Sequence, residues 1–160
     1  MNFRVGFGFD VHRLAEGETL NLGGIIVPFS KGTVGHSDAD VLIHAICDAL
    51  LGAAALRDIG VQFPDNASEY KGIDSKILLG RVAGLLQTWG YAIGNIDCTL
   101  CLQQPKIKDD IPRMQQILAD VLRIEVHQIS VKATTTEKLG YVGRGEGVSA
   151  YAVCLIYKTD

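Results

Sequence analysis

The chain has 160 residues, of which 48% are hydrophobic, and a formal net charge of −3. This length predicts one domain, 1–160, folded around a single core. The basic residues are scattered and form no stripe that would neutralise a row of phosphates, which argues against a nucleic-acid partner. The sequence has neither an apolar run of about 20 residues nor a signal-peptide pattern, so we expect no membrane association and a cytoplasmic protein.

The first predicted elements are strands. One strand is predicted over Phe3–His12. A β-hairpin follows, with Leu20–Leu22 and Ile25–Phe29 on either side of the Gly23-Gly24 dipeptide, which suits a primed turn. Because Pro28 has no N–H to donate to a neighbouring strand, we expect this hairpin at an edge.

Two helices are predicted next. Ser37 begins the first, with Asp40 three residues later in a variant of the capping box, and the helix ends near Leu56. Asp74 begins the second, and Gly90 occupies the position of its C-terminal cap. Apolar residues recur at helical spacing, at Val41, Ala45, Ala49 and Gly52 in the first helix and at Leu78, Leu79, Val82, Leu85, Leu86 and Trp89 in the second.

The rest of the chain alternates in the same way. A strand is predicted over Tyr91–Gln103, a third helix from Asp109 or Asp110, and two strands over Gln128–Thr134 and Gly147–Tyr157. The third helix has its apolar face at Met114, Ile117, Leu118, Val121 and Leu122. This order predicts an α/β fold (an α+β sandwich) with one mixed sheet covered on one face by helices. Apolar strand residues on the other face favour an oligomer.

The four cysteines are too few for the disulfide framework of a small secreted scaffold, and we expect them to be reduced. Cys98 and Cys101 have CxxC spacing, but they fall in a predicted strand. An odd separation in a strand places two side chains on opposite faces. This argues against a redox or metal pair.

A metal site is one interpretation of the acidic and histidine residues. Asp10 and His12 are two apart at the end of the first strand, so they lie on one face within reach of one cation. His44, on the first helix, would complete three zinc ligands and leave a fourth position open, as catalytic sites require. Asp40 and Asp48 lie four residues before and after His44, and either could orient its ring. The alternative is a helix with a solvated polar stripe.

The segment Lys132–Gly147 is a candidate phosphate-binding region. Its three consecutive threonines follow a predicted strand, and hydroxyls and exposed amides there suit phosphate oxygens. Glu137 is a hard ligand for magnesium. The alternative is a mobile surface turn. His36, next to the predicted helix start, is either a donor beside an anion-binding helix N-terminus or an ordinary loop histidine.

Together these segments resemble the cyclodiphosphate synthase family over nearly the whole chain. The resemblance extends from Phe9-Asp10-Val11-His12 to Gly143-Arg144-Gly145-Glu146-Gly147. Its most specific blocks are GFDVH (8–12), GHSDADVLIHA (35–45), LRDIG (56–60), FPD (63–65), YKGIDS (70–75) and KATTTEKLG (132–140).

The resemblance implies roles for individual residues. It implies that Asp10, His12 and His44 bind zinc, that Glu137 holds magnesium or manganese between two phosphates, and that His36 and Thr135 stabilise the transition state. A cytidine pocket is implied at Leu102, Gln103, Gln104, Pro105, Lys106, Ile107, Lys108, Ala133, Thr134 and Thr135. Further substrate contacts are implied at Asp10, Val11, His12, His36, Ser37, Asp58, Ile59, Gly60, Phe63, Pro64, Asp65, Asn66, Ala67, Thr136, Glu137, Tyr141 and Arg144.

The resemblance also implies an activity and an assembly. The activity is conversion of 4-diphosphocytidyl-2-C-methyl-D-erythritol 2-phosphate to 2-C-methyl-D-erythritol 2,4-cyclodiphosphate and CMP, a phosphorus–oxygen lyase reaction of the non-mevalonate isoprenoid pathway. The assembly is a homotrimer with active sites shared between subunits. The alternatives are a zinc phosphohydrolase, which would activate water at the open metal position, and a non-catalytic nucleotide- or isoprenoid-binding trimer.

Overall fold

The structure is a computed structural model that describes residues 2–64 and 70–159. Its strands are β1 (Phe3–Glu16), β2 (Asn21–Leu22), β3 (Ile25–Ile26), β4 (Lys31–Val34), β5 (Tyr91–Cys101), β6 (Ile129–Thr134) and β7 (Gly147–Lys158). Its helices are α1 (Val41–Ala53), α2 (Ile59–Gln62), α3 (Ser75–Thr88), α4 (Ile111–Leu122) and α5 (Gly140–Gly143), and Val126–Gln128 form a 3₁₀ turn.

Five strands form one mixed sheet in the order β4-β1-β7-β5-β6, and β2 pairs with β3 separately. In this sheet β5 and β6 run parallel, and the other neighbouring strands are antiparallel. The longest pairing joins β1 to β7, from Phe3 opposite Tyr157 to Arg13 opposite Gly147. Helices α1, α3 and α4 enclose the core on one face of this sheet. The predicted α/β class with a mixed sheet is therefore confirmed.

Helix α1 lies directly on β1 and β7. Strand β1 presents the buried Gly6 and Gly8 to it, and the absence of side chains there lets the two backbones approach closely. The apolar positions Ala45 and Ala49 face the strand, as predicted. Gly52 does not belong to this face, because it is exposed and nothing lies near its missing side chain.

The predicted start of α1 at Ser37 is wrong. Asp40 is the N-cap, and its carboxylate accepts a hydrogen bond from Ile43 N. Ala39 has a left-handed φ of 57°, which prevents the helix from extending back to Ser37. The carboxylate of Asp40 also accepts hydrogen bonds from the backbone of Gly23 and Gly24. One buried side chain therefore fixes both the helix start and the hairpin turn.

Other predicted element boundaries agree more closely with the structure. Asp74 caps α3, and Gly90 follows that helix with a φ of 69°, as predicted. Asp110 is the N-cap of α4. The hairpin turn has positive φ at both glycines, as a primed turn requires, although its strands are shorter than predicted. Helix α1 ends at Ala53 rather than near Leu56, and β5 at Cys101 rather than Gln103.

The sheet face away from the helices is apolar and uncovered along its two longest strands. Its exposed side chains are Phe3, Val5, Phe7, Phe9 and Val11 on β1 and Tyr151, Val153 and Tyr157 on β7. The rings of Phe9 and Tyr151 lie 5.1 Å apart. This is the apolar second face expected from the strand pattern.

The cysteines are free thiols. On β5, Cys98 is buried under the helices while Cys101 is only partly buried, so the two side chains point to opposite faces as predicted. Among residues 2–64 and 70–159, we find no helix with the length and hydropathy to cross a membrane.

Candidate metal centre and nucleotide pocket

Asp10, His12 and His44 converge on one point beside the sheet. Asp10 Oδ2 lies 3.0 Å from both His12 Nε2 and His44 Nδ1. The two histidine nitrogens lie 3.1 Å apart. Strand β1 contributes two of the ligands through its period of two, and α1 contributes the third.

This triangle fits a tetrahedral metal ion. Ligand atoms bonded to zinc at about 2.0–2.1 Å in a tetrahedron lie about 3.3 Å from each other, close to the separations seen. His12 Nδ1 donates to the carbonyl of Val34 at 3.0 Å, which leaves Nε2 with a lone pair for a metal. Three such ligands leave a fourth position open. In residues 2–64 and 70–159 we find no second group of three metal-ligating side chains.

The electrostatics of the triangle favour a cation. Burial opposes ionisation of Asp10, but hydrogen bonds with His12 and His44 outweigh it and lower the pKa of the Asp10 carboxyl to about 2. Burial also disfavours a charged His12 ring, yet the hydrogen bond with Asp10 prevails and raises the pKa of His12. The site thus holds a negative carboxylate next to a His12 ring whose positively charged form is favoured.

The predicted partners of the His44 ring are wrong. The carboxylate of Asp40 accepts hydrogen bonds from backbone N–H groups, and that of Asp48 accepts one from Ile59 N at 2.8 Å. Instead, two hydroxyl oxygens lie within hydrogen-bond distance of the ring nitrogen Nε2. They are Ser37 Oγ at 3.1 Å and Ser75 Oγ at 3.0 Å. Ser75 begins α3, so it comes from a different element.

A cavity of about 200 Å³ opens over the triangle. The predicted site residues that line it are Asp10, His12, His36, Ser37, His44, Ile59, Gly60 and Phe63. Asp48, expected only as a possible partner of the His44 ring, also lines it, as do three residues with no predicted site role, namely Tyr70, Ile73 and Leu78. Tyr70 and Ile73 belong to the matched block 70–75, which was the signal available for them. His36 is exposed at the cavity wall, and α1 begins at Val41 rather than at the adjacent Ser37.

A second cavity, of about 260 Å³, lies at the ends of β5 and β6. Its walls are Leu102, Gln103, Pro105, Lys106, Ile107, Lys108, Ala133, Thr134 and Thr135, all predicted for the cytidine pocket, together with Ile111, which was not predicted. The peptide bond between Gln104 and Pro105 is cis. Gln104 lies on a neighbouring cavity rather than on this one.

The predicted magnesium ligand lies in a tight turn beside this pocket. Glu137 and Lys138 both have left-handed φ values, 52° and 65°. Thr135 Oγ1 donates to Glu137 Oε1 at 3.3 Å, and Lys138 N donates to Gln103 Oε1 at 3.2 Å. Glu137 is exposed, so its carboxylate faces solvent next to the pocket.

The remaining predicted contacts are dispersed. Val11 points to the uncovered face, opposite to Asp10. Arg144 is paired with Glu146 at 2.9 Å. The other side chains are those of Asp58, which caps α2, of Thr136, which is partly buried, and of Pro64 and Tyr141, which are exposed. Asp65, Asn66 and Ala67 lie outside the described residues.

Among the residues that the structure describes, none lines both cavities. The metal triangle sits where β1 meets α1, whereas the second pocket lies across β7, at the far side of the sheet order. Within one chain the two parts of the predicted site are thus separate.

The comparisons with known proteins agree on one family. The model of the YgbB family matches residues 3–157. The 2-C-methyl-D-erythritol 2,4-cyclodiphosphate synthase of Bacteroides fragilis is 65% identical over 156 residues, 98% of either chain.

Solved structures agree with this. IspF of Plasmodium falciparum in its CDP complex superposes with a TM-score of 0.87 at 34% identity, over 99% of this chain and 98% of that one. The bifunctional IspDF of Campylobacter jejuni gives a TM-score of 0.95 at 40% identity, over 99% of this chain, which spans 43% of that one. The resemblance predicted from the motif blocks is confirmed, and the chain belongs to the YgbB family.

Proposed function

We propose that this chain is a 2-C-methyl-D-erythritol 2,4-cyclodiphosphate synthase that acts by metal-assisted intramolecular phosphoryl transfer. The observation that carries the proposal is the triangle of Asp10, His12 and His44, whose atoms lie 3.0–3.1 Å apart at the floor of a cavity. The name of the Bacteroides fragilis relative supports the same activity.

The reaction needs no nucleophile from the protein. An oxygen of the substrate's 2-phosphate forms a bond to the β-phosphorus, and the bond from that phosphorus to the bridging oxygen breaks, so that CMP leaves. No water enters, which makes the reaction a phosphorus–oxygen lyase reaction. The task of the protein is to hold the two phosphates in line and to stabilise the charge that develops.

We assign the residues to these tasks. Asp10, His12 and His44 would hold zinc, and Glu137 would hold magnesium or manganese together with substrate phosphates. The bound cations would polarise phosphate oxygens and offset the negative charge of the transition state. His36, at the wall of the metal cavity, and Thr135, in the second pocket, would donate hydrogen bonds to the transferring group.

The second pocket would bind the cytidine. It is lined by segments at the ends of two strands, and Leu102, Ile107 and Ala133 give it apolar walls for a base. Asp58, Ile59 and Gly60 would contact the methylerythritol and ribose from the metal side. Asp48 holds Ile59 N at 2.8 Å and so supports that segment.

We further propose a homotrimer in which each active site combines the metal cavity of one subunit with the cytidine pocket of the next. Two observations support it: the two cavities share no lining residue within 2–64 and 70–159, and β1 and β7 leave an apolar face uncovered. We place the protein in the cytoplasm, a reducing compartment that suits its free thiols.

The test is product analysis with purified protein and the diphosphocytidyl substrate, in the presence of zinc and magnesium. Release of CMP together with the cyclic diphosphate is the expected result. A linear phosphate product would instead indicate a zinc phosphohydrolase, and tight binding of substrate without turnover would indicate a non-catalytic binding protein.

A further inference from the structure

A buried serine connects His44 to an acidic residue on the side away from the metal position. Ser75 Oγ lies 3.0 Å from His44 Nε2 and donates a hydrogen bond to Asp38 Oδ1. We infer that Ser75 and Asp38 form a relay that holds His44 in the one tautomer able to bind the metal through Nδ1. This inference rests on the proposed metal site and names two positioning residues for it.

The direction of each hydrogen bond in the relay is fixed by the donors available. Asp38 accepts from Ser75 N at 3.0 Å and from Asp40 N at 3.3 Å in addition to the serine hydroxyl. Donors thus approach both of its carboxylate oxygens, and Asp38 acts as an acceptor. A hydroxyl has one hydrogen, and that of Ser75 is committed to Asp38. Toward His44, Ser75 Oγ therefore can only accept.

This polarity sets the protonation of the ring. If Ser75 accepts, His44 Nε2 carries the hydrogen, and Nδ1 is left with the lone pair that faces Asp10 and His12. Metal-binding histidines commonly donate their second N–H to a carboxylate or carbonyl, which fixes the tautomer and raises ligand basicity. Here a serine lies between the ring and the carboxylate and performs the same task.

The location of Ser75 makes the relay rigid. Its side chain is 0% exposed, and it is the first residue of α3, whose N-cap is Asp74. The backbone N–H of Ser75 donates to Asp38 Oδ2, so Asp38 accepts hydrogen bonds from both N and Oγ of the serine. The relay therefore ties the tautomer of a ligand on α1 to the start of α3.

The same polarity gives Ser37 a distinct role. Ser37 Oγ lies 3.1 Å from His44 Nε2 and accepts a hydrogen bond from Ala39 N at 3.2 Å. Neither contact uses its own hydrogen when Nε2 is protonated. That hydrogen remains available to an anionic oxygen in the metal cavity, which Ser37 lines.

The relay is tested with Ser75→Ala, which removes the acceptor without adding volume. Its matched control is Ser149→Ala, which deletes another buried hydroxyl, on β7 and outside the metal cavity. The zinc-loaded proteins are titrated with a competing chelator. Their imidazole N–H protons are then recorded by NMR with ¹⁵N-labelled histidine. We expect zinc affinity to fall about 10- to 100-fold in Ser75→Ala, the usual loss for a residue that orients a metal ligand.

The spectroscopic readout separates the relay from a merely structural role. In the wild type and in Ser149→Ala, the His44 Nε2–H resonance should be downfield and slow to exchange with water; in Ser75→Ala it should move upfield and exchange faster. Asp38→Asn is the second variant. It disturbs the acceptor end and should weaken zinc binding as well.

Unchanged zinc affinity and an unchanged N–H resonance in Ser75→Ala would overturn the relay while leaving the proposed function intact. A wild-type protein that binds no zinc would overturn the metal site and the relay together.

Discussion

A Cβ placed on Gly8 would lie 1.9 Å from the carbonyl oxygen of Ala45. Strand β1 and helix α1 are therefore in backbone contact at this point. Gly8 is two residues from Asp10, and Ala45 is next to His44. The contact that brings the strand to the helix thus also sets the separation of the metal ligands that the two elements carry.

Gly8→Ala should consequently damage both the fold and the metal site. Adding volume to a packed interior typically lowers the free energy of unfolding by about 1–3 kcal/mol. Here the added Cβ would collide with backbone, which shifts less readily than a side chain. We expect a loss of at least about 3 kcal/mol in the free energy of unfolding and substoichiometric zinc, measured by urea denaturation and metal analysis.

Gly52→Ala is the control for that variant. Gly52 lies on the exposed side of α1 with nothing near its missing side chain, so alanine should stabilise the helix by about 0.5–1 kcal/mol and leave zinc content unchanged. Gly8→Ala with normal stability and a full complement of zinc would contradict the role given to the strand–helix contact.

Removal of either histidine ligand should empty the metal site. In His12→Ala and His44→Ala, two ligands remain where a tetrahedral zinc site needs three from the protein. We expect both variants to lose most bound zinc and most activity, by metal analysis and CMP release. His127→Ala alters an exposed histidine on the 3₁₀ turn and should retain both. Full zinc occupancy in the ligand variants would reject the assignment.

Glu137→Gln should affect only the second cation. The variant keeps the shape of the side chain but removes the charge that a hard divalent ion prefers. Zinc content should stay at the wild-type level, because Glu137 is not among the ligands of the metal triangle. The magnesium concentration needed for half-maximal turnover should rise by at least about tenfold. A magnesium dependence identical to that of wild type would remove Glu137 from this role.

Some of the site was predictable because it obeys a local period. The side chains of Asp10 and His12 share one face of β1 as alternation requires, and Cys98 and Cys101 are separated for the same reason. Most helix starts carried a side-chain signal, as at Asp74. These features depend on residues near one another in the chain.

The errors have nonlocal or backbone causes. His44 could not be joined to Asp10 from the residues alone, since the contact between their elements is made by glycines, which have no apolar side chain to mark a buried face. The ring of His44 is oriented by Ser75, 31 residues away, rather than by the acids four residues away on the same helix. The start of α1 was misplaced because Ala39 adopts a left-handed conformation that favours glycine.

His36→Ala should lower turnover more than substrate affinity. His36 is exposed and lines the wall of the metal cavity, and it does not belong to the group of Asp10, His12 and His44. Loss of a hydrogen-bond donor that acts mainly in the transition state lowers kcat and kcat/KM together and leaves KM nearly constant. We expect a fall of about 100-fold or more in kcat. A rise in KM at constant kcat would reassign His36 to ground-state binding.

The last prediction concerns how the two cavities meet. In a cyclic trimer with shared sites, a site works only where an intact metal half faces an intact nucleotide half. His44→Ala removes the first half and Glu137→Ala the second, so each variant alone should be inactive.

Co-expression of these two variants in equal amounts should restore activity. Each metal half is intact with a probability of one half, and so is each facing nucleotide half, so random assembly should return roughly a quarter of wild-type sites. Mixed trimers are isolated with two different affinity tags and assayed for CMP release. Separately purified variants that are mixed without subunit exchange should stay inactive. No activity in verified mixed trimers would place both halves on one subunit, and a monomeric mass by light scattering would eliminate the shared site altogether.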